Sequence, residues 1–132
     1  MLGLFLFLTL SMFPLQDKPP DYGDISDLKG LSTVYVSADS TEVRKYVLAE
    51  LKKNRSMTIV NTADEAQLFL DCRMVRSTHF PGIPDIQDYE MTVFTMRNER
   101  RRIAWSETKS SVRYPPTLLT RDFLNALKKS QK

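Results

Sequence analysis

Cysteine is almost missing from this chain: Cys72 stands alone among 132 residues. No internal disulfide can form, so the fold must be held by packing rather than by bridges. Glycine is scarce as well, four in all, and none opens a glycine-rich phosphate loop after a strand. A single histidine, His79, supports no Ser-His-Asp pattern, and no cofactor signature is present. The net charge of +3 is too mild to imply an anionic polymer. The arginine-rich stretch also lacks the interleaved aromatics of a single-strand nucleic-acid surface, so no nucleic-acid partner is expected. No apolar run reaches the ~20 residues needed to cross a bilayer as a helix.

One shorter run does stand out. Residues 1–15 carry no charge and are nearly all apolar, matching the apolar core of about 7–15 residues in a secretory signal. The expectation is an export signal over residues 1–16 and a periplasmic or secreted product without a transmembrane span. Cys72 lies far from that segment, so it does not have the position of a lipid-bearing cysteine. Residues 17–30 hold prolines, glycines and aspartates without periodicity, the composition of a solvated linker. A single domain over 31–132 is then expected.

Within that domain, Val34 to Val36 reads as a strand. Asp39 followed by Glu42 fits a capping box, and Val43, Tyr46, Val47 and Leu51 recur at helical spacing. Met57 to Val60 predicts a second strand and Gln67 to Arg76 a third, with Leu68, Leu70, Cys72 and Met74 alternating on its apolar side. A proline-rich connection over 77–88 leads to two β-rich runs, 89–96 and 102–108, joined as a hairpin. Pro115 and Pro116 introduce a final helix that Thr117 can cap, with Leu119, Phe123, Ala126 and Leu127 as its apolar stripe. The fold class is therefore α+β, in the order β-α-β-β-β-β-α: a mostly antiparallel sheet with two helices packed on one face. Trp105 reads as a core anchor sharing a face with Ile103.

Two groups of residues are candidates for binding. Tyr35, Phe69 and Arg73, with Asp71 among them, occupy the face of the sheet opposite the helices if the pleat runs regularly. The hairpin turn carries Arg97, Arg100, Arg101 and Arg102, whose guanidinium groups suit phosphate or carboxylate. No catalytic or metal-ligating residue is assigned. The alternative is a small hydrolase or metal-dependent enzyme built on His79, Asp85 and Asp88, whose side chains offer imidazole and oxygen ligands.

The element order, the stretch from Val60 to Asp71 after a strand and the strand Ile103-Ala-Trp-Ser106 before a terminal helix together resemble the small α/β domains of bacterial envelope proteins, such as the amino-terminal domain of TolB and the lipopolysaccharide-assembly partner LptE. The likeness covers about residues 31–130 and rests on pattern rather than on a motif. It implies a non-catalytic binding or assembly role in the cell envelope. The partner would be a protein or an anionic component, a lipid head group or a lipopolysaccharide phosphate.

Overall fold

A computed structural model describes residues 18–54, 57–111 and 114–131; the expected export signal lies outside the described residues. In chain order the elements are β1 (Asp21–Tyr22), a 3-10 turn (Ile25–Leu28), β2 (Thr33–Ala38), α1 (Thr41–Lys53), β3 (Thr58–Ile59), a 3-10 turn (Ala63–Glu65), β4 (Leu68–Thr78), β5 (Ile86–Arg97), β6 (Arg100–Ser111) and α2 (Pro115–Ser130). The expected order is present with one strand added at its start. The six strands form one mixed sheet in the order β1-β6-β5-β4-β2-β3. Its long ladders, β4 with β5 and β5 with β6, are antiparallel. The pairings of β2 with β3 and β4, and of β1 with β6, are parallel.

Both helices contribute to the core. Val43, Val47 and Leu51 of α1 and Leu119, Phe123, Leu124 and Leu127 of α2 join Val34, Val36, Leu68, Leu70, Cys72, Met91 and Val93 in one buried cluster. Alternation carries those strand residues to the helix side, as the period of a strand requires. Glu50 is buried where the helices meet, accepting from Arg121 at 3.3 Å and from Lys53 at 3.3 Å. Pairing is what makes a buried carboxylate tolerable there.

Several local expectations are corrected. The described part of the expected linker, residues 18–30, is built into the fold: Asp21–Tyr22 adds a parallel edge to β6, and Leu28 is wholly buried. Its acidic composition concealed this because the aspartates are taken up by a local cap and by ion pairs to β6. Asp24 caps the 3-10 turn in a reciprocal capping box with Asp27, and Asp27 also accepts from Arg102 at 2.9 Å. Ser40, not Asp39, caps α1, its hydroxyl accepting from the Val43 N–H at 3.1 Å. Asp39 instead accepts from the Met74 N–H on β4 at 2.9 Å. Helix α2 begins at Pro115 without a side-chain cap, so Thr117 does not serve as one. The connection between β4 and β5 shortens to residues 79–85, because Arg76, Ser77 and Thr78 pair with Asp88, Gln87 and Ile86.

The most consequential correction is a bulge. Val93 pairs with Trp105 but the next residue, Phe94, pairs with Ile103, leaving Ala104 extra on β6. A bulge reverses the side-chain alternation beyond it. Trp105 therefore faces the helices, its ring 5.4 Å from that of Phe123, whereas Ile103 lies across from Phe94 on the other face. A second irregularity between Met74 and Arg76 accompanies the emergence of Met74 into solvent, despite its place in the apolar alternation.

Candidate functional site

On the face away from the helices, cross-strand register brings three aromatic residues into line. Tyr35 pairs with Phe69, and Phe69 with Phe94. The Tyr35 and Phe69 rings meet edge to face at 6.4 Å, and Phe69 and Phe94 stack at 5.3 Å, both geometries that the ring quadrupole favours. The Arg101 guanidinium carbon lies 5.6 Å over the Phe94 ring, within cation–π range. An aromatic row crosses β2, β4 and β5 and ends in a cation on β6. Beside it runs a polar row, in which Asp71 accepts from the Ser37 hydroxyl at 2.8 Å and from Arg73 at 2.7 Å.

Arg73 shares this face but pairs with Glu90, four residues along β4 from Phe69; Tyr35, Phe69 and Arg101 are brought together. Phe94 belongs with them and was missed. Its signal was its place directly after Val93: with Met91 and Val93 facing the helices, the next residue must face away.

The other hairpin arginines are separated from this group by the pleat. The turn itself is tight, with Asn98 at φ 54° and Glu99 at φ 62°, the pattern of a two-residue turn of mirror type. Arg97 pairs with Arg100, and Arg102 with Thr95, while Arg101 pairs with Met96. Arg97, Arg100 and Arg102 therefore project on the helix side. Two of them hold the amino-terminal segment: Arg100 donates to Asp21 at 3.2 Å and Arg102 to Asp27 at 2.9 Å. Asp27 is held below the ordinary carboxylate value first by the Asp24 backbone N–H and then by Arg102. Arg101 has no ion pair among the described residues, and its buried Nε has no hydrogen-bond acceptor there. Arg73, by contrast, is already neutralised by Asp71.

The His79 loop is only partly assembled. His79 Nδ1 lies 2.6 Å from an Asp85 carboxylate oxygen, with both side chains exposed. Asp88 is elsewhere, accepting from Ser110 and lying 3.9 Å from Arg76. Among the described residues, no three His, Cys, Asp or Glu side chains converge as a metal site. Burial, followed by Asp71 and Asp39, pushes the Cys72 thiol up to about 12, far from the thiolate that nucleophilic chemistry requires.

No protein-family model matches the chain, and no curated protein does. Among solved structures, it is similar to a hypothetical protein from Chlamydia trachomatis, at 10% identity over 76% of this chain and 96% of that one, TM-score 0.47. It is also similar to a PelC dodecamer from Paraburkholderia phytofirmans, at 10% identity over 83% and 94%, TM-score 0.49. A third likeness is to lipoprotein GNA1162 from Neisseria meningitidis, at 10% identity over 74% and 99%, TM-score 0.38. Likeness at this level implies neither shared activity nor shared partners. Among the described residues, no helix is long and apolar enough to cross a membrane.

Proposed function

We propose that the protein is an exported, non-catalytic binding component of a bacterial cell envelope, and that it meets an anionic partner on the helix-free face of its sheet. The observation that supports this reading is the row Tyr35, Phe69, Phe94 ending in Arg101, a guanidinium seated on an aromatic ring without an acid beside it. Only the Arg101 Nε is buried without an acceptor among the described residues, while the residue as a whole is half-buried; a phosphate or carboxylate accepts from a guanidinium in the geometry that group prefers. The aromatic row offers adjoining apolar area for the rest of the partner. Export rests on the apolar, uncharged run at residues 1–15.

The test is co-sedimentation of the full chain with vesicles containing phosphatidylglycerol and with lipopolysaccharide, alongside in-cell crosslinking read by mass spectrometry. Binding should weaken with salt, and Arg101→Ser should lower it about tenfold, which corresponds to ~1.4 kcal/mol. Phe69→Ala should lower it as well. Arg73→Ser should have less effect, since Asp71 already pairs that charge. A protein that binds neither vesicle type nor lipopolysaccharide and crosslinks to no envelope protein overturns the proposal, as does one whose binding is unchanged by Arg101→Ser.

A further inference from the structure

Among the described residues, the sheet has one long uncovered edge. Strand β1 pairs with β6 only at Arg102 and Ile103, because the chain turns away after Gly23 into the capped 3-10 turn. Beyond Ile103, no strand among the described residues pairs with the outer side of β6. The stretch Ala104 to Ser111 is therefore an open template for another strand.

Its orientation follows from the bulge. The Ile103 carbonyl points outward, where it accepts from the Gly23 N–H at 2.8 Å. Inserting Ala104 moves the alternation by one, so Ser106, Thr108 and Ser110 turn their backbone N–H and C=O groups outward. Their side chains are exposed, whereas Trp105, Glu107 and Lys109 stand on the helix side. There Lys109 donates to Asp122 of α2 at 2.6 Å. A trench lined by Trp105, Glu107, Asp122, Asn125 and Lys129 runs alongside.

This edge is complementary to itself. An antiparallel pairing with its two-fold axis at Thr108 sets Glu107 of each copy opposite Lys109 of the other, Thr108 opposite Thr108, and Ser106 opposite Ser110. Opposite charges and paired hydroxyl residues across a ladder are each stabilising. Centring the axis on Glu107 or on Lys109 places like charges face to face. Centring it on Ser106 brings Lys109 against Ile103, whose outer side β1 already holds. Only the Thr108 register uses the free edge from end to end and pairs its charges.

We propose that two copies of the chain associate through antiparallel pairing of their β6 edges about Thr108, joining two six-stranded sheets into one. The interface is isologous and closes after two copies. Each trench beside α2 gives the incoming Glu107 and Lys109 side chains room on the helix side.

Sedimentation velocity on the full chain, from micromolar to near-millimolar concentration, reads the outcome directly. The wild-type chain should reach the mass of a dimer. Thr108→Pro removes the outward N–H on the axis while sparing the ladder to β5, a place where edge strands accept proline; it should stay folded by circular dichroism and sediment as a monomer. Lys109→Glu and Glu107→Lys should each be monomeric alone, and an equimolar mixture of the two should recover the dimer, since each variant then meets opposite charge at both positions. A wild-type chain that remains monomeric across the range overturns the proposal. So does a dimer unaffected by Thr108→Pro, or a mixture of folded charge variants that stays monomeric.

Discussion

At the scale of single residues, alternation along a strand decided most of what could be known early. Cys72 falls between Leu70 and Met74 on the apolar side of β4 and is wholly buried. A thiol pushed up to about 12 is almost never ionised near neutral pH. Cys72 should therefore resist a thiol-specific aromatic disulfide in native buffer and react fully in denaturant, with a native rate limited by opening of the fold. Rapid native labelling would show that β4 is open to solvent there. Arg101 is the contrary case. Four arginines crowded around one turn look equivalent in the sequence, yet the pleat points Arg101 to one face and its neighbours to the other. Which of them found acids depended on Asp21 and Asp27, about eighty residues earlier.

At the scale of elements, the helices and long strands were legible because their periodicities are strong and uninterrupted. The short ones were not. β1 has two residues, and its pairing is set by a distant strand rather than by any propensity of Asp21 and Tyr22. Gly23 explains why it can dock. A Cβ at this position would crowd the Asp27 carboxylate and the Arg102 side chain. Gly23→Ala should force that ion pair apart and cost about 1 kcal/mol, at the low end for overpacking since both side chains are flexible. The loss should appear as a lower urea midpoint and should shrink in an Asp27→Ala background, where the nearer of the two crowding groups is gone and Arg102 is free to move. The bulge at Ala104 is the other element-scale surprise. Ile103, Ala104 and Trp105 give no turn signal, and the extra residue becomes visible only when β6 is laid against β5.

For the whole molecule, charge sets the response to pH. Glu50 lies below its ordinary value of 4.5, chiefly through the hydrogen bond from Arg121, with burial opposing. Asp24 is lowered first by the Ser26 hydroxyl, and Asp27 by the Asp24 backbone N–H. A lowered carboxylate stabilises the folded chain above its unfolded value, and that contribution is lost as pH falls through the folded value. Glu107 has the opposite sign: burial and Asp122 raise it, so its ionisation opposes folding and its protonation relieves that cost. Three groups against one predict falling stability below about pH 4.5. Glu50 should dominate, because solvent screens the two surface aspartates. Glu50→Gln should cost about 1–2 kcal/mol at neutral pH and flatten the acid limb of a denaturation series; an unaltered acid limb would place the transition in other carboxylates.

The sequence by itself determined the α+β class, the order of the major elements, the helix stripes and the alternating faces of β4, since each follows from local spacing and the need to bury apolar side chains. Tertiary structure decided that residues 21–28 belong to the sheet and core, that Phe94 completes the aromatic row, that Arg101 sits over Phe94 without an ion-pair partner among the described residues, and that the described part of β6 keeps an open edge. Those properties depend on which strands become neighbours and in what register. A single extra residue in one strand turns every side chain beyond it, and the spacing along one strand alone does not record that choice.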